Sequence, residues 1–282
     1  MFASEKSPEL PKPAEVQEIL TKLIAEWDNF PSDVVIGARE HVVIGVTVFG
    51  LTAHVYTLVD GALTLHQAGK PMAAVPLIRA AIECAMTAVW VELAGYPGAM
   101  ALIREQTRGM KNTIEAWVKS GMPDDQDTVG ELGRELLTLV KTSTGAGQHF
   151  EQRCKELEGG MSMYALYRSA SQVSHATTSV VDLYLGAASV DDPGPTGMAL
   201  STVPAEYSPD AWLNSALVAV VQATSAWSRL DRAHTHRSRM KELNRRLGTR
   251  YHQAFTAEGL RMQRVRELEV KTWVAPGEAP PR

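Results

Sequence analysis

The sequence predicts an all-α fold, a multi-helix bundle with a helical C-terminal extension. Three observations carry that prediction. Apolar residues recur at three- and four-residue steps, proline and glycine divide the chain into long stretches of this kind, and no alternating run bounded by hairpin-turn residues occurs. With 45 % hydrophobic residues in 282 positions, the chain has enough apolar surface for a sizeable core.

The first helix is expected from about Pro13 to Trp27, with Val16, Ile19, Leu20, Leu23, Ile24 and Trp27 on one face; Phe30-Pro31-Ser32-Asp33 breaks it. Ser32 or Asp33 then caps a long second helix reaching about Gln67. Its β-branched residues, Val42, Val43, Ile44, Val46 and Val48 among them, leave a strand open for part of that length. A third helix spans about Met72 to Ala94, with Pro76 near its first turn, where proline is tolerated. It is apolar nearly all round, and Arg79 and Glu83 stand out as isolated charges before Glu92.

Further helices are expected over Gly98 to Lys119 and Asp127 to Thr142, then a turn or two over Gln148 to Leu157. Gly159-Gly160 ends that region. A sixth long helix runs from about Ser162 to Leu185, followed by a loop from Gly186 to Ser208 centred on Asp191-Asp192-Pro193-Gly194-Pro195. Ser208 reads as a cap with Pro209 at the first helical position, opening a helix to about Ala233. A basic helix follows from about Ser238 to Phe255. The resulting domain plan is a flexible start and helix over 1–30, one bundle over 31–258 and a disordered tail over 272–282.

Composition narrows the function classes. Net charge is −4, so no overall positive field advertises nucleic-acid binding. The local exception runs from Arg229 to Arg250, where eight basic residues face only Asp231 and Glu242; this strip is the place to receive RNA or an acidic partner, or else a solvated helix face. Cys84 and Cys154 are too few for a disulfide framework. Residues 1–15 lack the basic-then-apolar order of a signal peptide, and the apolar run Val42 to Ala53 falls short of the roughly 18–20 residues that span a bilayer. The expectation is a cytoplasmic protein with no membrane contact.

No glycine-rich phosphate loop, HExxH motif or nucleophile elbow occurs, so no cofactor is expected. His234-x-His236 places two histidines on different sides of a helix, with no completing ligand; a solvated helix end is expected and no metal. Trp90, Trp117, Trp212 and Trp227 sit among apolar neighbours and are expected in the core.

The informative stretch is Tyr164 to His175. On a continuous helix, Arg168 and His175 lie seven residues apart, about 20° from one another around the axis. Arginine-histidine spacing alone carries little, because Arg229/His234, Arg229/His236, Arg245/His252 and Arg246/His252 also satisfy it. The context adds more. Tyr167, Ser171, His175 and Thr178 form a polar ridge without Lys or Glu, as suits a half-buried face whose groups need hydrogen-bond partners; Arg79 and Glu83 are the candidates.

Arg79-x-x-x-Glu83 on an apolar helix, followed by Tyr167-x-x-x-Ser171-x-x-x-His175, resembles the DUF5677 family of bacterial proteins over roughly 34–185. Through the Arg-x(4–6)-His pattern the chain also resembles, more distantly, the HEPN superfamily of helical bundles, many of which are metal-independent ribonucleases. That resemblance implies a HEPN-like core, His175 and Arg168 as catalytic residues, and Arg79, Glu83, Tyr167 and Ser171 in support. It also implies RNA as substrate or ligand, a homodimer, and a toxin or phage-defence setting. Ser169 departs from the pattern, since active members often carry Asn, Asp or His after the arginine. The competing expectation is a non-catalytic interaction scaffold in which Arg79, Glu83, Ser171 and His175 fix helix packing.

Overall fold

The computed structural model describes residues 11–29, 42–120, 149–187, 198–233 and 235–272. These residues hold nine helices: α1 (Pro13–Asp28), α2 (Val42–Gln67), α3 (Pro71–Lys119), α4 (Phe150–Glu156), α5 (Gly160–Gln172), α6 (Thr178–Asp182), α7 (Pro209–Leu230), α8 (Arg237–Leu247) and α9 (Ala257–Thr272). A two-stranded antiparallel ribbon, β1 (Leu185–Ala187) with β2 (Met198–Leu200), pairs Leu185 with Leu200. The all-α bundle expected from periodicity is the observed fold class.

Helices α2, α3 and α7 pack on one another at the centre, α1 covers α7 and α2, and α4 and α5 lie on α3. The buried stripe of α1 is Val16, Ile19, Leu20 and Leu23, with Pro13 at its start. Helix α2 is helical throughout its described length, which settles the strand alternative there. It buries Ile44, Val48, Val55, Val59 and Leu63 on one side, while Thr47, Thr52 and Thr57 donate to carbonyls one turn back. By length and composition alone, α2 and the Pro71–Met110 part of α3 are long and apolar enough to cross a bilayer, well beyond the dozen residues the sequence suggested.

The expected third and fourth helices form one kinked element. Gly95 has φ 64° and ψ −149°, backbone open essentially to glycine alone, and Pro97 supplies no N–H. Gly98 lets the two arms close, since a Cβ there would lie 2.5 Å from the Ala94 Cβ. The kink frees the Ala94 carbonyl, which accepts from Gln263 Nε2 of α9 at 3.0 Å.

Helix α7 is buried along most of its length and carries a polar row, Gln222, Thr224, Ser225 and Ser228. Thr224 pairs with Tyr56 and Ser228 with Tyr251, while Asn244 of α8 serves Gln222 and Ser225. Its Nδ2 donates to Ser225 Oγ and the Met240 carbonyl, and its Oδ1 accepts from Gln222 and Thr249, all at 2.8 Å. A fully paired amide of this kind fixes how two helices dock.

Several expectations need correction. The sixth helix does not run from 162 to 185; it stops at Gln172, bends, resumes briefly as α6 and gives way to β1. Hydroxyl side chains explain the stop, because Ser174 Oγ takes the Ala170 carbonyl at 2.7 Å and Thr177 Oγ1 takes that of Gln172 at 2.6 Å. The 186–208 loop contains β2. Ser208 precedes α7 with Pro209 in place, but makes no side-chain cap and sits at φ 46°. The basic helix ends at Leu247, where Gly248 adopts φ 64°, and α9 lies beyond the last helix the sequence announced.

Trp90 and Trp227 are in the core and Trp212 is half-buried against it. Residues 1–10, 30–41, 127–142 and 273–282, and with them the flexible start, the cap at Ser32 or Asp33, the fifth helix and the tail, lie outside the described residues, as do His234 and the Trp117 side chain.

His236 is buried, not solvated: it is 7 % exposed and stacks on Trp27, which itself stacks on Tyr56 at 4.4 Å. Burial lowers its pKa, opposed by Glu26 and Asp231 and reinforced by Arg239. As pH falls through about 6.5 the unfolded imidazole takes up its proton first, so the folded state loses stability from there down to the lowered folded value. Urea unfolding is therefore expected to show declining stability from pH 7 to pH 5.5 that His236→Asn largely removes; an undiminished slope in the variant contradicts this.

Candidate functional site

Arg79 projects from α3 onto α5. Its Nε donates to Ser171 Oγ at 3.0 Å, its Nη2 donates to Tyr167 Oη at 2.5 Å, and the guanidinium carbon lies 4.5 Å from the Tyr167 ring centre. Glu83, one turn along, is 3.6 Å away. Two neutral hydroxyls and a ring face thus hold the cation, with the carboxylate at the long end of ion-pair range. Spacing explains the assembly: Arg79 and Glu83 share one face of α3, Tyr167 and Ser171 share one face of α5, and Ser171 Oγ also donates back to the Tyr167 carbonyl at 2.8 Å.

His175 and Arg168 stand apart from that cluster. Because α5 ends at Gln172, His175 sits in the bend, exposed, with its carbonyl accepting from the Thr177 N–H at 2.8 Å. The shared helical stripe of Arg168 and His175 is therefore absent. Arg168 is exposed on α5 and makes no hydrogen bond or ion pair among the described residues; its charge reaches Glu151, whose carboxyl is held low first by Lys155 and then by Tyr164. Of the six candidate residues, the structure brings four together, Arg79, Glu83, Tyr167 and Ser171, and leaves two at the surface.

The cluster continues into a polar seam that sequence reasoning missed. Glu83, Thr87 and Trp90 follow Arg79 along α3 at steps of four, four and three. Arg153 of α4 donates to Thr87 Oγ1 at 3.1 Å, pairs with Glu105 and feels the charge of Glu83. One turn on, Glu156 is fully buried. Its Oε2 accepts from Trp90 Nε1 at 2.7 Å and lies 2.8 Å from Arg266 Nη1 of α9, off the hydrogen-bond axis. Arg266 is 1 % exposed, and burial lowers its pKa against the opposing pull of Glu156.

Local structure seats these groups. Helix α4 ends because Leu157 turns extended and bridges Phe255, while the Glu156 carbonyl accepts from the Thr256 N–H at 2.8 Å. Gly259 permits the close approach of α9, since a Cβ there would lie 2.3 Å from the Glu156 carbonyl oxygen. The one sequence signal for this seam was charge interleaved with apolar positions over Phe150, Arg153, Cys154, Glu156 and Leu157.

The basic strip is largely neutralised within the chain. Arg229 makes a forked pair with Glu92 at 2.9 and 2.8 Å, Arg246 meets Glu15 at 2.6 Å, Arg245 meets Glu242, Arg239 meets Glu26 and Arg250 meets Glu158. Five of its eight cations are so engaged. Burial pushes the thiol of Cys84 up to about 11 and that of Cys154 to about 12, so neither is primed as a nucleophile. Among the described residues no group of three or more His, Cys, Asp or Glu is placed to hold a metal. The chain matches no protein-family model, no curated protein and no solved structure.

Tyr167 contributes both a hydroxyl to Arg79 and a ring that packs 4.6 Å from Phe150. Tyr167→Phe should lower stability by about 1 kcal/mol and Tyr167→Ala by about 3 kcal/mol or more in urea unfolding. Equal losses would show that the Arg79 hydrogen bond carries the whole effect.

Proposed function

We propose that this chain is a HEPN-like RNA-binding and RNA-cleaving protein. Its phosphate would bind between Arg79 and Arg168, with His175 transferring protons. The observation that carries this reading is the holding of Arg79: hydroxyls, not a close carboxylate, orient its guanidinium, and its side chain is still 21 % exposed. Arg168 and His175 are exposed on the same helix and the bend after it.

The chemistry follows from those groups. His175 takes the proton from an RNA 2′-hydroxyl; the 2′-oxygen forms its bond to phosphorus as the bond from phosphorus to the 5′-oxygen breaks, and the leaving oxygen takes a proton from the imidazolium. The two arginines stabilise charge building on the phosphate oxygens. A 2′,3′-cyclic phosphate and a 5′-hydroxyl result. The HEPN resemblance adds a second copy of the chain across the site and a setting in toxin or phage-defence biology.

A non-catalytic scaffold is the second reading. It is favoured by the position of His175, off the helix and outside the Arg79 network, and by the internal pairing of the basic strip, which removes much of the footprint an RNA or acidic partner would use.

Incubating the full chain with mixed single-stranded RNAs in EDTA separates the two. The nuclease reading expects cyclic-phosphate ends, and a loss of about 100-fold or more in rate for His175→Ala and for Arg168→Ala with unchanged melting temperature. No cleavage by the wild type, or cleavage unchanged in both variants, contradicts it.

A further inference from the structure

We propose that Trp90, Glu156 and Phe255 form a guanidinium-binding site, which Arg266 fills from within the same chain. The ligand class is a planar guanidinium cation, either on an arginine of a partner polypeptide or on a small free guanidine.

The walls of the site suit that cation. Arg266 Cζ lies 4.8 Å from the Trp90 ring centre and 5.9 Å from that of Phe255, with Glu156 Oε2 at 2.8 Å from Nη1. Two aromatic rings and a carboxylate are what a weakly hydrated, delocalised cation binds best. The Trp90 indole N–H fixes one carboxylate oxygen, so the acceptor is oriented before any cation arrives.

Arg266 uses the site incompletely. Glu156 is 0 % exposed, yet its Oε1 has no hydrogen-bond partner, and Arg266 Nη1 sits near Oε2 without an aligned hydrogen bond. A carboxylate that can grip a guanidinium through both oxygens is held here through one. A free guanidinium, unconstrained by a helix backbone, can turn to engage both.

The element carrying Arg266 is fastened in a manner that permits exchange. Among the side chains of α9, Arg266 alone is fully buried, while Leu260 is 55 % and Leu268 61 % exposed. Its polar ties include Gln263 to the Ala94 carbonyl, Glu258 to Gln152 and Glu269 to Arg104. A helix held by two ion pairs and a few hydrogen bonds, with no fully buried apolar side chain, has little apolar anchorage.

Chemical rescue tests the site without reference to RNA. Arg266→Ala removes the internal occupant, and thermal unfolding of the full chain is followed with and without about 50 mM methylguanidinium. The site predicts that the cation raises the midpoint of Arg266→Ala by about 2 °C or more and leaves the wild type and Glu156→Gln/Arg266→Ala unmoved. If Arg266→Ala does not fold alone, recovery of its helical circular dichroism with methylguanidinium is the same result.

Absence of rescue, or equal rescue in the double variant, overturns the proposal. A blocked arginine peptide that shifts the midpoint as methylguanidinium does, where its lysine counterpart fails, assigns the source to a partner chain. Rescue by the small cation alone assigns it to a free guanidine.

Discussion

The buried carboxylate of Glu156 is the constraint on which the surrounding structure depends. An ionised carboxyl removed from water is costly unless it is paired and hydrogen-bonded, and here the pairing draws on three separate elements. Trp90 lies one turn before the kink of α3, Glu156 ends α4, and Arg266 lies midway along α9. Each of those elements carries a local irregularity that serves the junction. Gly95 breaks α3 and exposes the Ala94 carbonyl to Gln263; Leu157 stops α4 against Phe255; Gly259 lets α9 approach the Glu156 backbone. Burial of one charge thereby organises three turns of chain that are distant in sequence.

The seam from Arg79 to Arg266 alternates in sign along its length. Arg79, Glu83, Arg153 and Glu156 follow one another across α3 and α4 before α9 supplies Arg266. Its outer end is half-exposed and held by hydroxyls, and its inner end is sealed and held by a carboxylate. That gradient separates two kinds of work. The outer end suits an anion that arrives from solvent, whereas the inner end suits a guanidinium cation.

The fold class, most helix positions and the Arg79, Glu83, Tyr167 and Ser171 association were legible from the sequence, because each follows from residues at three- and four-residue steps on one helix or on two facing ones. The break after Gln172 was not. Its cause is a pair of hydroxyl side chains past the last turn, Ser174 and Thr177, that satisfy backbone carbonyls locally, and such competition leaves the apolar period intact up to the break. The position of His175 changed with it. Helix α9 escaped notice for a different reason: its buried residue is an arginine whose partner lies 110 positions away in sequence, and no periodicity encodes a partner that distant. Four of the five ion pairs named for the basic strip are likewise long-range, joining it to Glu15, Glu26, Glu92 and Glu158.

Glu156 and Arg266 act as one unit that joins three helices, and a double-mutant cycle in urea unfolding measures that directly. Glu156→Gln and Arg266→Met should each cost about 3 kcal/mol, because each leaves the other group buried without its partner, while the double variant should cost less than their sum by about 2 kcal/mol or more. Losses that add to within about 0.5 kcal/mol would contradict the claim that this pair joins α3, α4 and α9.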